Sequence, residues 1–414
     1  MNLLKKLIKN NLVLLSSSIF EKIVFFFLTI FIARILGVED YGKWGFVLSF
    51  TSLFVIFTDI GLNRFLVRDI SRNKKKIKIY LTNILAIKFI LSLTTFIIII
   101  FISNLINISK DQILAVYLIA FSFLFSSIAG AFSSIFIAYE KMEFNALSKI
   151  IHVALLGISY VLVLLLDYGI IGLAVATLFV NLASLIYNFI ILKKYFFKKI
   201  FNRIRFNLWK NLIKNAIPFG LITVFSIIYF KIDIVMLSLI LKDDSAVGLY
   251  NAASRLIFNL MFLPIILSQT LFPIMSRYFK KSSKLRLILK NSSIFIFLIS
   301  LIISSILILF ADKIILLIYG DKFLEAAISL RILSLFYLIW SLNAILKTYL
   351  SSIDKQKTIL YVMLFGAILN ILLNLYFIPK FSFIGASITT FISEIVTLII
   401  LFFYVRNLNK NVQR

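Results

Sequence analysis

Long apolar runs recur along this chain at the length a lipid bilayer demands. A spanning helix needs roughly 20 apolar residues. Twelve stretches meet that need, at 12–36, 44–63, 79–103, 112–138, 147–166, 170–192, 215–241, 248–275, 287–310, 326–350, 358–378 and 383–405. Together they require about 240 residues of the 414 available. The longest stretch between them, 193–214, is too short for an extramembrane domain. The expected fold is therefore an all-α polytopic membrane protein with about 12 transmembrane helices. The basic start Met1-Asn2-Leu3-Leu4-Lys5-Lys6 resembles a signal peptide, but its apolar run continues past Glu21 and Lys22 to Leu36 without a small-residue cleavage site. It reads as an uncleaved first span.

Composition supports this class and removes others. Hydrophobic residues make up 62% of the chain and charged residues 15%, against about 45–50% and 25% in soluble proteins. A formal net charge of +27 would ordinarily suggest a nucleic-acid partner, but a soluble nucleic-acid binder cannot carry this much apolar side chain. The chain has no Cys and one His, His152. Disulfides, thiol catalysis and Cys-based metal sites are thereby excluded, and no His cluster exists for a transition metal. No phosphate-binding Gly loop or nucleophile elbow occurs, so neither catalysis nor a cofactor is expected.

The positive charge reports orientation. With the N-terminus placed in the cytoplasm, 32 Lys and Arg fall in cytoplasmic segments, 7 in outer ones and 5 within spans. The acidic residues distribute as 4, 9 and 4. The net charge is then +28 inside, −2 outside and +1 within the membrane. By the positive-inside rule both termini are expected in the cytoplasm.

An internal repeat is visible. Gly42-Lys43-Trp44 and Gly248-Leu249-Tyr250 each place Gly-x-aromatic at the start of a span, 206 residues apart and preceded by acidic residues. Gly172–Thr177 and Gly385–Thr390 match at an offset of 213. The reading is two parallel six-helix lobes, 1–206 and 207–414. Transporters built from such repeats bind substrate at the repeat interface.

The ionisable residues within spans are the functional signal. A charge facing lipid at the bilayer centre costs roughly 2.5–3.5 kcal/mol. Lys22, Lys88, Lys231, Arg255 and Arg331, with Glu21, Asp59, Asp233 and Glu394, are therefore expected to face a wet cavity or one another. Helical periodicity aligns Asn251, Arg255 and Asn259 on one face of the eighth span. Lys88 could instead snorkel to the surface, Lys231 could pair with Asp233, and Asp59 with Arg64. The carboxylates either neutralise these cations or titrate in a proton- or sodium-coupled cycle. Arg34 is expected to pair with Glu39 or Asp40, and His152 to be structural.

Several stretches resemble the polysaccharide (O-antigen, Wzx-type) flippases of the multidrug/oligosaccharidyl-lipid/polysaccharide exporter superfamily. They are Ala33-Arg34-Ile35-Leu36-Gly37-Val38-Glu39-Asp40-Tyr41-Gly42, Asp59-Ile60-Gly61-Leu62, Val247-Gly248-Leu249-Tyr250-Asn251-Ala252-Ala253, Leu271-Phe272-Pro273-Ile274-Met275-Ser276 and Tyr319-Gly320-Asp321-Lys322-Phe323. The resemblance implies two lobes around a central cavity, in a bacterial inner membrane. It implies translocation of undecaprenyl-diphosphate-linked oligosaccharide between leaflets for surface polysaccharide such as lipopolysaccharide. Lys22, Lys88, Lys231, Arg255, Arg331, Asn251 and Asn259 are then the candidate substrate residues, with charge-assisted hydrogen bonds to the diphosphate. Glu21, Asp59, Asp233 and Glu394 are the candidate coupling carboxylates for H+ or Na+. Membrane lipids are the other expected partners, and nucleic acid is not one. A drug or cation antiporter of the same fold is the alternative, although the +1 balance within the spans favours an anionic cargo. A lipid II flippase usually carries two more helices, and a polysaccharide polymerase a larger outer loop.

Overall fold

The computed structural model describes residues 3–196, 202–279 and 282–411. Parts of the basic segments 193–214 and 277–290 thus lie outside the described residues. Among those described the secondary structure is helical, without a strand, as a bilayer requires of a chain that must satisfy its backbone internally. The helices are α1 (Leu3–Val55), α2 (Leu62–Arg72), α3 (Ile77–Leu105), α4 (Lys110–Ala138), α5 (Met142–Leu165), α6 (Gly169–Tyr195), α7 (Phe206–Leu241), α8 (Asp244–Leu260), α9 (Phe262–Arg277), α10 (Ser282–Leu309), α11 (Ala311–Tyr319), α12 (Ala326–Ser352) and α13 (Gln356–Asn411).

Two of these are pairs of helices. α1 breaks at Gly37, with φ 73° and ψ −177°, and α13 breaks at Ser382, with φ 52° and ψ −137°. Only glycine adopts the former without cost, and Pro379 precedes the latter. Counting those as two each, and the consecutive α8 and α9 as one, gives twelve membrane-length segments among the described residues. Their outer surfaces are apolar: Phe27 and Phe101 are each 65% exposed and Leu317 is 76% exposed. Such a surface is stable against lipid and not against water. The chain is a multi-pass membrane protein.

Local chemistry sets the helix starts. Ser109 and Gln112 form a reciprocal capping box at the head of α4, satisfying two otherwise orphaned donors. Asp243 caps α8 by accepting from the amides of Ser245 (2.9 Å) and Ala246 (3.3 Å). The acidic residue before the second Gly-x-aromatic motif is thus a helix cap.

The second span ends earlier than its hydropathy suggests. Helix α1 stops at Val55, Ile56–Thr58 tighten into a 3-10 turn, and Ile60 and Gly61 take positive φ angles of 41° and 90°. The basic stretch that follows is not a loop. It forms α2, in which Leu62, Phe65, Leu66 and Ile70 fall on one buried face. Six Lys and Arg between Arg64 and Lys76 disguise this apolar stripe.

The chain folds into two compact units. The first is Met1–Leu36 with Phe46–Ile227, and the second is Gly37–Gly45 with Ile228–Arg414. In the first, α2, α3, α4, α6 and the start of α7 share a core that includes Leu66, Leu81, Phe132, Phe136, Leu192 and Leu212. In the second, α9, α10, α12 and α13 enclose Met275, Leu289, Ile296, Ile345, Leu350 and Leu401.

Glycines let Gly37–Gly45 lie directly against α8 inside the second unit. A Cβ on Gly42 would sit 1.8 Å from the Asp244 carbonyl oxygen, one on Gly248 2.1 Å from that of Val38, and one on Gly45 2.7 Å from the Asn251 amide nitrogen. The two copies of the Gly-x-aromatic motif therefore pack on each other backbone to backbone, as small residues permit between membrane helices.

Candidate functional site

In the first unit, the break after α1 exposes the Asp59 carboxylate to α3 and α4. Lys88 is fully buried and its Nζ donates to Asp59 Oδ1 at 2.7 Å, to the Ser127 carbonyl at 2.8 Å and to Ser127 Oγ at 3.1 Å. Ser127 in turn donates to the Thr58 carbonyl at 2.9 Å. The tight turn is accommodated by Gly220, where a Cβ would stand 2.8 Å from the Ile60 carbonyl carbon. Lys88 thus does not snorkel, and Asp59 pairs with Lys88 rather than with the exposed Arg64. An ammonium with three acceptors has no donor left for cargo.

Lys22 is exposed on α1, and neighbouring Glu21 lies 3.8 Å from Lys149. His152 meets Ser184 at 2.9 Å and Tyr160 meets Thr177 at 2.6 Å, so these polar groups of α5 and α6 serve helix packing. On the stretch after Gly37, Lys43 engages both Glu39 (2.8 Å) and Asp40 (2.9 Å).

The second unit carries two buried carboxylates. Asp233 on α7 accepts from Tyr250 Oη, Thr390 Oγ1 and Asn374 Nδ2, each at 2.7 Å. Asn374 also donates to Asn370 (3.1 Å) and accepts from Thr389 (2.5 Å). Five oxygen-bearing side chains from α8 and both arms of α13 thus gather around one carboxylate. Lys231 does not join them: two residues apart on a helix, it points to another side. Glu394 accepts from Tyr229 and from Asn343 Nδ2 (2.6 Å), and Lys347 Nζ lies 3.8 Å away. Lys347, counted among the cytoplasmic cations although the span 326–350 includes it, belongs to α12 and turns toward this buried acid.

The cations of the second unit separate into two kinds. Arg331, five residues into α12, forms a 2.5 Å ion pair with Asp312 of α11, and both side chains are exposed. It sits roughly 8 Å along its helix, in the second turn. Arg255 differs. It is half-buried on α8 and its Nε is buried without a hydrogen-bond partner. Beside it the buried Asn251 leaves Oδ1 unpartnered, and Asn259 is half-buried one turn beyond Arg255. Among the described residues no carboxylate lies within 4.0 Å of Arg255 or of Lys231. A guanidinium with an unmet buried donor and no acid beside it is an anion-binding arrangement. Among the described residues, no three His, Cys, Asp or Glu side chains group as metal ligands.

The polar stripe Asn251, Arg255 and Asn259 is legible in sequence and lies along one helix, α8. Tyr229, Tyr250, Asn343, Thr389 and Thr390 are not singled out by hydropathy. The Gly385–Thr390 repeat was the signal that marked the last of these.

Comparisons with known proteins agree with this architecture. The family model described as polysaccharide biosynthesis protein matches residues 7–279, and the MatE model matches 218–376. An uncharacterized membrane protein of Methanocaldococcus jannaschii is 23% identical over 85% of this chain and 74% of its own length. A probable low-salt glycan biosynthesis flippase of Haloferax volcanii is 24% identical over 42% of this chain and 37% of its own. Among solved structures, an inward-facing multidrug resistance transporter of the MATE family gives a TM-score of 0.76 at 15% identity, covering 95% of both chains. Lipid II flippase MurJ in its inward closed conformation gives 0.76 at 20% identity, covering 94% of this chain and 86% of its own. The fold is that of the multidrug/oligosaccharidyl-lipid/polysaccharide superfamily, and the chain belongs to the polysaccharide biosynthesis protein family.

Proposed function

We propose that this protein translocates a lipid-linked oligosaccharide, carried on undecaprenyl diphosphate, from the cytoplasmic to the outer leaflet for surface polysaccharide synthesis such as O-antigen. The observation that carries the reading is Arg255, a half-buried cation on α8 with no acidic partner and a buried, unmet guanidinium donor. A diphosphate supplies the missing acceptors, while Asn251 and Asn259 offer amides to sugar hydroxyls. Lys22, exposed on α1, is the candidate cation of the first unit. Lys88 and Arg331, being paired with Asp59 and Asp312, hold the fold.

Asp233 and Glu394 are the proposed coupling carboxylates. Each is buried among hydroxyls and amides in a membrane interior, where an unneutralised charge is costly. Binding of H+ or Na+ at Asp233, surrounded by the oxygens of Tyr250, Thr389, Thr390, Asn370 and Asn374, would relieve that cost and rearrange α7 against α13. Asp59 is matched by Lys88 at 2.7 Å and the Glu21 side chain is 37% exposed rather than buried, which leaves them the weaker coupling candidates.

Deletion of the gene in its own host tests the reading. Lipid-linked repeat units are expected to accumulate on the cytoplasmic leaflet while surface polymer is lost. Wild-type protein restores export, and Arg255→Ala at equal membrane abundance does not. Normal surface polymer with unchanged lipid-linked pools overturns the proposal. The same buried carboxylates, with the MatE match over 218–376, support a second reading as a drug or cation antiporter. Asp233-dependent efflux of a lipophilic cationic dye, with polymer unaffected, favours it.

A further inference from the structure

The second unit holds a groove remote in sequence from the Arg255 stripe. It is a cavity of about 970 Å³ between the first turns of α10, the middle of α12 and the last turns of α13. Its lining splits by chemistry. Arg286 and Lys290 stand at the start of α10, and Arg406 stands at the end of α13. The helices run so that these three cations share one end. Deeper in, the lining is apolar, with Leu346, Leu398 and Phe402 among its residues, and no carboxylate contributes to it. The wall is open sideways: Ile294, Ile399 and Phe403 are each about half exposed on the apolar surface. From Arg286 to Ile294 the groove follows α10 for about 12 Å, the length of part of an acyl chain.

Two observations point to an occupant. Arg286 Nε is buried with no hydrogen-bond partner, so one donor of the cationic end is desolvated and unmet. Such a donor is costly unless an acceptor arrives. Three cations without an acid, joined to an apolar slot that opens toward lipid tails, complement one amphiphile: a phosphate ester on an acyl chain. The positive-inside reading puts this end at the cytoplasmic leaflet, where anionic lipids reside.

We propose that this groove is a binding site for one anionic phospholipid of the bilayer, its phosphate held by Arg286, Lys290 and Arg406 and an acyl chain lying along Leu346, Leu398 and Phe402. The site does not include Arg255 and does not depend on the identity of the cargo. It fixes α10 to the end of α13 through a lipid bridge, so membrane composition becomes a regulator of this unit.

The test uses the full-length protein reconstituted in vesicles of phosphatidylcholine and phosphatidylglycerol, re-extracted and examined by native mass spectrometry. Wild type is expected to retain phosphatidylglycerol in preference to phosphatidylcholine. Replacement of Arg286, Lys290 and Arg406 by Gln is expected to lower that preference about fivefold for each cation removed. Leu398→Trp, which fills the apolar slot and leaves the cations in place, is expected to lower retention as well. Arg406→Gln alone alters an exposed side chain and keeps the test readable should the Arg286 variant fold poorly. Three outcomes overturn the proposal. One is a preference unchanged in the Gln variants. Another is a preference lost with Gln but untouched by Leu398→Trp, which would mean headgroup contact at the surface only. The third is displacement of the bound phosphatidylglycerol by an equimolar polyprenyl phosphate, which would assign the groove to the carrier lipid.

Discussion

Residue by residue, the intramembrane cations divide by whether the protein itself answers their charge. Lys88 is answered completely, by Asp59 and two oxygens of Ser127. Removing one partner of a buried ion pair costs about 3–5 kcal/mol, because the other charge is left uncompensated. Lys88→Met is therefore expected to lower thermal stability in detergent by about that amount. Adding Asp59→Asn should recover most of the loss, and a double variant as unstable as the single one would count against the pairing. Arg255 meets no carboxylate within 4.0 Å among the described residues and leaves its Nε unpartnered, so its loss should spare stability and act on transport. Loss of one charge-assisted hydrogen bond, about 1.5–3 kcal/mol, predicts a roughly 10- to 100-fold slower export, with Arg255→Lys intermediate. The sequence shows that both cations lie within spans. It does not show which has a partner, because Asp59 reaches Lys88 only after the helix has stopped at Val55 and turned through Ile60 and Gly61.

At the level of elements, the hydrophobic period locates the helices and the glycines decide how they meet. Gly248 admits the Val38 carbonyl where a Cβ would stand 2.1 Å away. Gly248→Ala must therefore push two backbones apart, and overpacking of this kind costs about 1–3 kcal/mol. The expected result is a lower melting temperature for Gly248→Ala and Gly42→Ala. Gly169→Ala makes the contrasting case: a Cβ there meets nothing within 4 Å, and only the positive φ of 54° opposes it. The repeat offset of 206 residues is plain in the sequence, but that its two copies lie on each other is not. Helix α2 was hidden for a different reason. Its five apolar residues are too few to span a bilayer, and its arginines make the average polar, so only the one-sided spacing of the four buried ones betrays a helix that packs on α3 and α4.

For the whole molecule, the charge asymmetry sets an orientation that can be read directly. Reporter fusions after Asn73 and at the C-terminus are expected to be active only as cytoplasmic markers, and a fusion after Asp321 only as an outer one. An outward-facing C-terminus would reverse the leaflet from which cargo is taken and the leaflet that supplies the phospholipid of α10. The twelve segments and their order were available from hydropathy, since spans are set by bilayer thickness alone. The polar network of Asp233 was not, because its members are drawn from α7, α8 and both arms of α13.

The membership of Gly37–Gly45 in the second unit also has a temporal side. These residues leave the ribosome 206 residues before Gly248, the glycine they pack against. At ~5–20 residues per second, the interval is about 10–40 s. Throughout it the two helices flanking Gly37 are already made, while the surface that receives Tyr41, between Tyr319 and Phe323, has yet to be synthesised. The early helices must therefore wait, with an unfilled glycine face, for the late ones. Biogenesis of this protein cannot be completed lobe by lobe in the order of translation, and chaperone or insertase dependence should be greatest in that interval.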